Sequence, residues 1–398
     1  MSASAAVGGT RQGQPTTLGE PASFDGGLTE IGEGAWAWLQ PNGGLGESNA
    51  GLICGEGEAL LVDTLWDERL TRRMLDAMEP VLASNRAPLT HLFNTHGDGD
   101  HWYGNGLPGA GVEIVATERA AAQMADEPPA MLTRLAPVGS AAGAIGKVPL
   151  LPGAASLRGL GMFMGMLSHY EFDGIQPRLP SRTFTGEDSI EVGGRTVELI
   201  EVGPAHTVGD AIAWVPDARV VYAGDILFNG IVPIMWAGPV DNWLAALDRI
   251  EGLEPATVVG GHGPPGGAAE LATLREYWTW LAGEVADGGD EDVGKLTERL
   301  IRSADWRRSE WADWAGAERT LVNVARIRST SADGGGEIGT IERMKPDRRD
   351  GRPGGAPARL AGASAPGHQP SRRDGAVSRN HAASFRHPGA APRNPRNG

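Results

Sequence analysis

The sequence predicts an α/β protein of stacked sheets and helices, and three observations carry that prediction. Short β-favouring runs recur between glycine, proline and aspartate turns from Leu28 onward. Segments with apolar residues at helical spacing stand between them, as in Leu70, Met74, Met78 and Leu82. Histidines and aspartates gather where the runs end, which is where a layered α/β fold carries its chemistry.

In chain order, Ala35–Leu39, Ala50–Cys54 and Ala59–Asp63 read as consecutive strands of one antiparallel sheet, with Gly55–Glu58 as a hairpin turn. Asp67 to Ser84 is a helix packed on that sheet. Leu89 to Thr95 has the composition of a buried strand, and His91 within it reads as a core or edge histidine. This strand leads into Asn94–Asn105, a loop too rich in glycine for a helix, which crowds His96, Asp98, Asp100 and His101 into six residues. Imidazoles and carboxylates this close are costly to gather without a cation to neutralise and coordinate them. Val112–Ala116 is a strand, and Thr117 caps a helix reaching Ala125. Arg182 to Val202 holds two or three strands, and Ala211–Val215 pairs with Arg219–Ala223 across a turn at Pro216–Ala218. Asp241–Ile250 is a helix, Thr257–His262 the last core strand and Ala268–Val285 a closing helix.

Three more candidate ligands follow at long intervals: His206 in the run Gly203–Asp210, Asp225 in Val220–Phe228, and His262 in Val258–Pro264. With these motifs in this order, the chain from roughly Gly27 to Leu281 resembles the metallo-β-lactamase-fold hydrolase superfamily. The resemblance implies a four-layer αββα sandwich, with a helical insertion at about 128–180 of a kind that commonly covers the metal cleft. It implies two divalent ions, zinc first and iron or manganese as alternatives. His96, Asp98 and His206 would hold one, Asp100, His101 and His262 the other, and Asp225 would bridge them. A metal-bound hydroxide would attack the substrate, with Asp100 orienting it, and Asp63 would stand behind the metal loop. Asp98 departs from the family, which normally has histidine there. It is read either as a ligand that makes its site harder, and so favours iron or manganese, or as a residue that does not coordinate and leaves a single metal.

Residues beside the ligands complete the candidate site. Trp102, Tyr103, Met235 and Trp236 read either as an aromatic, methionine-bearing cleft wall or as core. His169 and Tyr170 lie in a methionine-rich part of the insertion, Gly161–Phe172, from which either side chain can donate to substrate or leaving group.

Composition bounds the function. The last 58 residues, from Ile341, carry 12 Lys or Arg against four Asp or Glu, net +8, so the preceding part is −23 within a total of −15. A basic tail from 329 to 398 rich in Gly, Ala and Pro is expected to stay disordered, and Met1–Phe24 reads as a flexible leader. The acidic body argues against nucleic-acid substrates, and no run approaches the ~18 apolar residues of a membrane span. The single cysteine, Cys54, excludes an internal disulfide and reads as buried packing; a cytoplasmic location follows. The expected function is metal-dependent hydrolysis of a small apolar or aromatic molecule: an activated ester, lactone, thioester, amide or aryl ether. The alternatives are a non-catalytic partner subunit and an iron-dependent oxygenase or oxidoreductase. More narrowly, the chain is similar to actinobacterial nitroaryl ether hydrolases, which implies cleavage of a nitroaryl methyl ether in aromatic compound degradation and a homo-oligomer or a hetero-oligomer with a similar subunit.

Overall fold

Side-chain alternation along each strand builds two sheets that share one interior. In the strand Ala59–Val62, Leu60 and Val62 face one way and Leu61 the other, and all three are fully buried. Such a strand needs cover on both faces. The structure is a computed structural model that describes residues 7–130, 132, 167–176 and 178–332.

The first sheet has eight strands in sequence order: β1 Val7–Gly8, β2 Gly27–Gly32, β3 Ala35–Leu39, β4 Ala50–Cys54, β5 Ala59–Val62, β6 Leu89–Phe93, β7 Glu113–Thr117 and β8 Arg182–Phe184. Neighbours from β1 to β5 are antiparallel, and from β5 to β8 parallel. The second sheet runs β13-β12-β11-β10-β9, from β9 Glu187–Val192, β10 Arg195–Glu201, β11 Ala211–Val215, β12 Val220–Phe228 and β13 Thr257–His262. Here β12 and β13 are parallel and the other neighbours antiparallel. Parallel neighbours need crossovers, supplied by α1 Glu68–Asn85 between β5 and β6, and α3 Val240–Gly252 between β12 and β13. The helix α2, Glu118–Asp126, follows β7. The predicted cap of α2 holds, Thr117 accepting from Ala120 N (3.1 Å), and Asp67 caps α1 by accepting from Leu70 N (2.7 Å).

Between the sheets, Ala37, Ile53, Leu60 and Phe93 meet Leu199, Ala213, Tyr222 and Val259. Outside the first sheet, Leu52, Leu61 and Ile114 pack on Met74 and Met78 of α1 and Met124 of α2. Outside the second, Ile212 and Val221 pack on Trp243 and Leu247 of α3 and on Leu274 and Trp278 of α4 (Ala268–Asp287). This is the expected αββα order of layers.

Three findings depart from the sequence reading. The leader is held over residues 7–24: β1 pairs antiparallel with β2, Arg73 Nε donates to Gly8 O (2.9 Å), and Gln12 N donates to Asp25 Oδ1 (2.8 Å). Beyond α4 come three unforeseen helices, α5 Val293–Ile301, α6 Ala304–Arg308 and α7 Thr320–Ala332, which add Leu296, Leu300, Trp306 and Val324 to the outer core. Their capping residues, Asp292 for α5 and Ser303 for α6, were legible start signals. Thirdly, α7 continues through 329–332, where the tail was expected to begin. Most of the insertion, and the tail from 333, lie outside the described residues. Among the described residues no helix is long and apolar enough to cross a membrane. Cys54 is buried, and burial pushes its thiol up to about 11, as befits a packing residue.

Candidate metal centre

The ligand loop leaves β6 at Phe93 and is held from behind. Asn94 Nδ2 donates to His101 O (2.9 Å), Asn105 Nδ2 to Asn94 Oδ1 (2.7 Å) and Ser48 Oγ to Asp100 O (2.6 Å). These bonds satisfy buried polar groups in a loop that has no ladder of its own. The other ligands arrive from the second sheet. Asp225 lies inside β12, just after a register shift at Gly224, rather than at the end of the strand. Two glycines make room for this: a Cβ at Gly224 (φ +50°) would stand 2.6 Å from Thr95 Oγ1, and one at Gly261 1.8 Å from Asp225 Oδ1. His206 sits in a loop closed by Asp210, which accepts from Ala205 N (3.0 Å), Thr207 N (3.0 Å) and Thr207 Oγ1 (2.6 Å).

Hydrogen bonding fixes the orientation of three of the four rings, His96, His101 and His206, while Nδ1 of His262 is buried without a partner. Thr95 Oγ1 gives its single proton to Asp63 Oδ2 (2.7 Å), so it accepts from His96 Nδ1 (2.9 Å). His101 Nδ1 donates to Asp63 Oδ2 (3.0 Å), and His206 Nδ1 to Ile234 O (2.7 Å). All three therefore point Nε2 inward, open to a cation or, in its place, a proton. Nε2 of His96 is buried without any hydrogen-bond partner. Ring nitrogens tied at Nδ1 to a carboxylate, carbonyl or hydroxyl are the arrangement that orients histidine as a metal ligand.

The inward atoms form three overlapping groups, His96/Asp98/His206, His96/His101/Asp225 and Asp100/His101/His262, each with ligand atoms within 4.8 Å of one another. Asp225 joins the two outer trios: Oδ1 lies 3.2 Å from His101 Nε2, while Oδ2 lies 3.3 Å from His206 Nε2 and 3.4 Å from His262 Nε2. Asp100 Oδ2 is 3.5 Å from His262 Nε2. Asp98 is braced, with Oδ1 accepting from Gln123 Nε2 (3.0 Å) and Oδ2 from Trp236 Nε1 (3.1 Å), and with Oδ2 3.1 Å from His206 Nε2.

Electrostatics fits cations at these places. Burial opposes charge on His206 and His101, yet Asp225 and Asp98 push the His206 imidazole up to about 10, and Asp100, Asp225 and Asp63 hold His101 well above the ordinary histidine range. Burial also opposes ionisation of Asp225, but His262, His101 and His206 hold its carboxyl well below the usual range. Burial and the neighbouring His101 push His96 well down. The cluster draws positive charge inward, as protons or as divalent ions, and its imidazole and carboxylate donors suit zinc, iron or manganese.

All seven expected ligands are brought together, with Asp63 behind them. The flanking residues divide. Trp236 touches Asp98 and is half-buried, so it flanks the centre. Trp102 and Tyr103 do not form a wall: both are buried, Trp102 Nε1 donates to Gly97 O (3.0 Å) and Tyr103 packs against Gly99, so they support the loop from its core side. Met235 is fully buried within the outer core. Tyr170 stacks on Trp66 with ring centroids 5.3 Å apart and donates to Leu45 O. That packing turns His169 outward, where it is exposed and its carbonyl accepts from Arg69 Nη2 (3.4 Å); no contact joins it to the ligand cluster. Gln123, Thr95, Ser48 and Phe228, whose ring stacks on His262 at 5.0 Å, escaped the sequence reading. Only the position of Thr95 beside His96 was a signal.

Two sheets sandwiched between helices, with histidines and aspartates from both sheets converging on one bridging carboxylate, define a class of metallohydrolase fold. The sequence profile of the metallo-beta-lactamase superfamily matches residues 43–262, more than half of the chain. The chain belongs to that superfamily. Among solved structures it is similar to a metallo-beta-lactamase from Pontibacter korlensis (17% identity, TM-score 0.45, covering 63% of this chain and 98% of that one). It is also similar to a metallo-beta-lactamase family protein from Thermus thermophilus (19%, 0.49, 77% and 97%). A curated relative, 2,4-dinitroanisole O-demethylase subunit alpha from Nocardioides sp. (strain JS1661), is 34% identical over 92 residues, 21% of this chain. The match spans only 27% of that relative's length.

Proposed function

We propose that this chain is a metal-dependent hydrolase of small apolar or aromatic molecules, with an activated aryl ether, such as a nitroaryl methyl ether, or an activated ester as the scissile group. The observation that carries the reading is Asp225, one carboxylate within 3.2–3.4 Å of ring nitrogens from both ligand trios. Divalent cations bound there would supply a hydroxide nucleophile at neutral pH and a Lewis acid for the electrophile. The chain's own residues do the rest. Asp100, buried beside His262, is placed to accept a proton from the attacking water and aim it. Trp236, half-buried, offers apolar surface next to the ligands, and the buried Phe228 ring backs His262. The aryl ether reading draws on the relative named 2,4-dinitroanisole O-demethylase subunit alpha, and that name is what supports pairing with a further subunit. Zinc is the first candidate metal and the cytoplasm the proposed location.

An iron-dependent oxygenase is the second reading, and the first trio favours it: His96, His206 and Asp98 make the two-histidine, one-carboxylate set that suits iron(II). Elemental analysis of the full chain purified without added metal separates the two, alongside turnover of 2,4-dinitroanisole and 4-nitrophenyl acetate. About two zinc per chain with oxygen-independent turnover supports the hydrolase. Iron with oxygen consumption supports the oxygenase, and a chain that takes up no metal on reconstitution sinks both.

A further inference from the structure

The segment beyond residue 262, where the superfamily match ends, brings a guanidinium toward the metal centre. Arg319 closes a 3-10 turn, Ala317–Arg319, immediately before α7. Its Nη1 donates to Val232 O (3.2 Å), and its Cζ lies 5.9 Å from the centroid of the Phe228 ring. That same ring stacks on the ligand His262 at 5.0 Å, with 8° between the planes. Arg319 therefore stands one aromatic ring away from the second ligand trio. The turn makes this reach feasible: Gly316 adopts φ +76°, and a Cβ there would stand 3.1 Å from Arg319 Nε.

What Arg319 lacks is a carboxylate. Its protein hydrogen bond, among the described residues, goes to a neutral carbonyl, and no ion pair engages it. Burial weakens its charge, and Glu318, Asp225 and Asp100 act on it from beyond ion-pair distance. A half-buried guanidinium without an anionic partner carries a desolvation cost that a ligand can offset. Its planar fork of N–H donors matches two coplanar oxygens better than a lone atom.

We propose that Arg319 is a substrate-recognition residue, holding a planar two-oxygen group, a carboxylate or a nitro group, on the molecule that the metal centre attacks. This rests on the hydrolase reading, since both features serve one ligand. Trp236, half-buried beside Asp98, would flank the rest of that molecule, while the buried Phe228 ring stands between Arg319 and His262; this commits the substrate to a small ring bearing such a group within reach of the scissile bond.

The test is calorimetric titration of the zinc-reconstituted full chain with benzoate and, separately, nitrobenzene. Arg319→Gln removes the charge yet keeps an N–H for Val232 O, and Arg319→Lys keeps the charge but loses the fork. The expected result is binding of at least one probe to the wild type and about tenfold weaker binding of it to Arg319→Gln. Zinc content is expected to be unchanged, with a smaller loss in Arg319→Lys. Which probe responds tells carboxylate from nitro recognition. Should Arg319→Gln fail to fold, Arg319→Lys decides by the same criterion. Equal affinity in wild type and variants, the result of benzoate held by zinc alone, overturns the proposal, as does a wild type that binds neither probe. A chain that holds no zinc but loses probe binding in Arg319→Gln overturns the hydrolase reading and leaves the Arg319 subsite standing.

Discussion

The two ligand trios have the same composition, two histidines and an aspartate, yet they are built differently. In the second trio the side chains of Asp100, His101 and His262 are 11%, 0% and 5% exposed, and His101 is tied to the buried carboxylate of Asp63. In the first, the Asp98 side chain is 22% exposed and its oxygens already meet N–H groups of Gln123 and Trp236. A carboxylate with its lone pairs shared among donors is the weaker and more adjustable ligand. The two places are therefore unequal in their carboxylates, Asp100 the more buried and Asp98 the one shared among donors.

The largest effect belongs to the residue common to both. Asp225→Asn removes the bridging charge, so hydrolysis is expected to fall by ~10³-fold or more and metal content toward zero. Turnover that survives in this variant breaks the shared-carboxylate picture. Asp63→Asn comes next. It keeps a residue type that tolerates the left-handed backbone at φ +61°, but sets an amide N–H against the donors Thr95 N, Thr95 Oγ1 and His101 Nδ1. Affinity for the metal equivalent held by His101 is expected to drop ~10- to 100-fold, read by chelator competition, and the other to fall less, because Asp63 reaches His96 only through Thr95; an equal loss of both would show that the trios are not independent.

Trp236→Phe sharpens the contrast on the other side. It deletes one donor to Asp98 and little volume, so the more weakly held metal equivalent should change affinity by ~10-fold or less while the tighter one stays put. The smallest effect is with pH. His206 and His101 are raised and carry protons at neutral pH when no cation is present, so metal uptake releases protons and affinity rises with pH. Titrations at pH 6 and pH 8 in buffers of different ionisation enthalpy count those protons, and a flat profile would contradict the charge pattern.

Much of the site was legible because ligand motifs are local. His96, Asp98, Asp100 and His101 occupy one glycine-rich loop, Asp225 and His262 each sit beside a glycine within a strand, and His206 lies in the short loop between β10 and β11. The supports were not legible, because Ser48, Gln123 and Ile234 meet their partners from distant parts of the chain. Nearness in sequence also misled. Trp102 and Tyr103 follow His101 directly, but the backbone turn at Gly99–His101 points them into the core.

By itself the sequence determined most core strands and helices and the seven candidate ligands, because periodicity and ligand chemistry are written within a few residues, and the order of the layers came from the resemblance those motifs carry. Only the tertiary structure decided that Asp225 stands between the trios, that Asp98 is braced by Trp236 and Gln123, that His169 faces outward, and that Arg319 stands one aromatic ring from His262. Each of these depends on packing between distant parts of the chain, which no local pattern encodes.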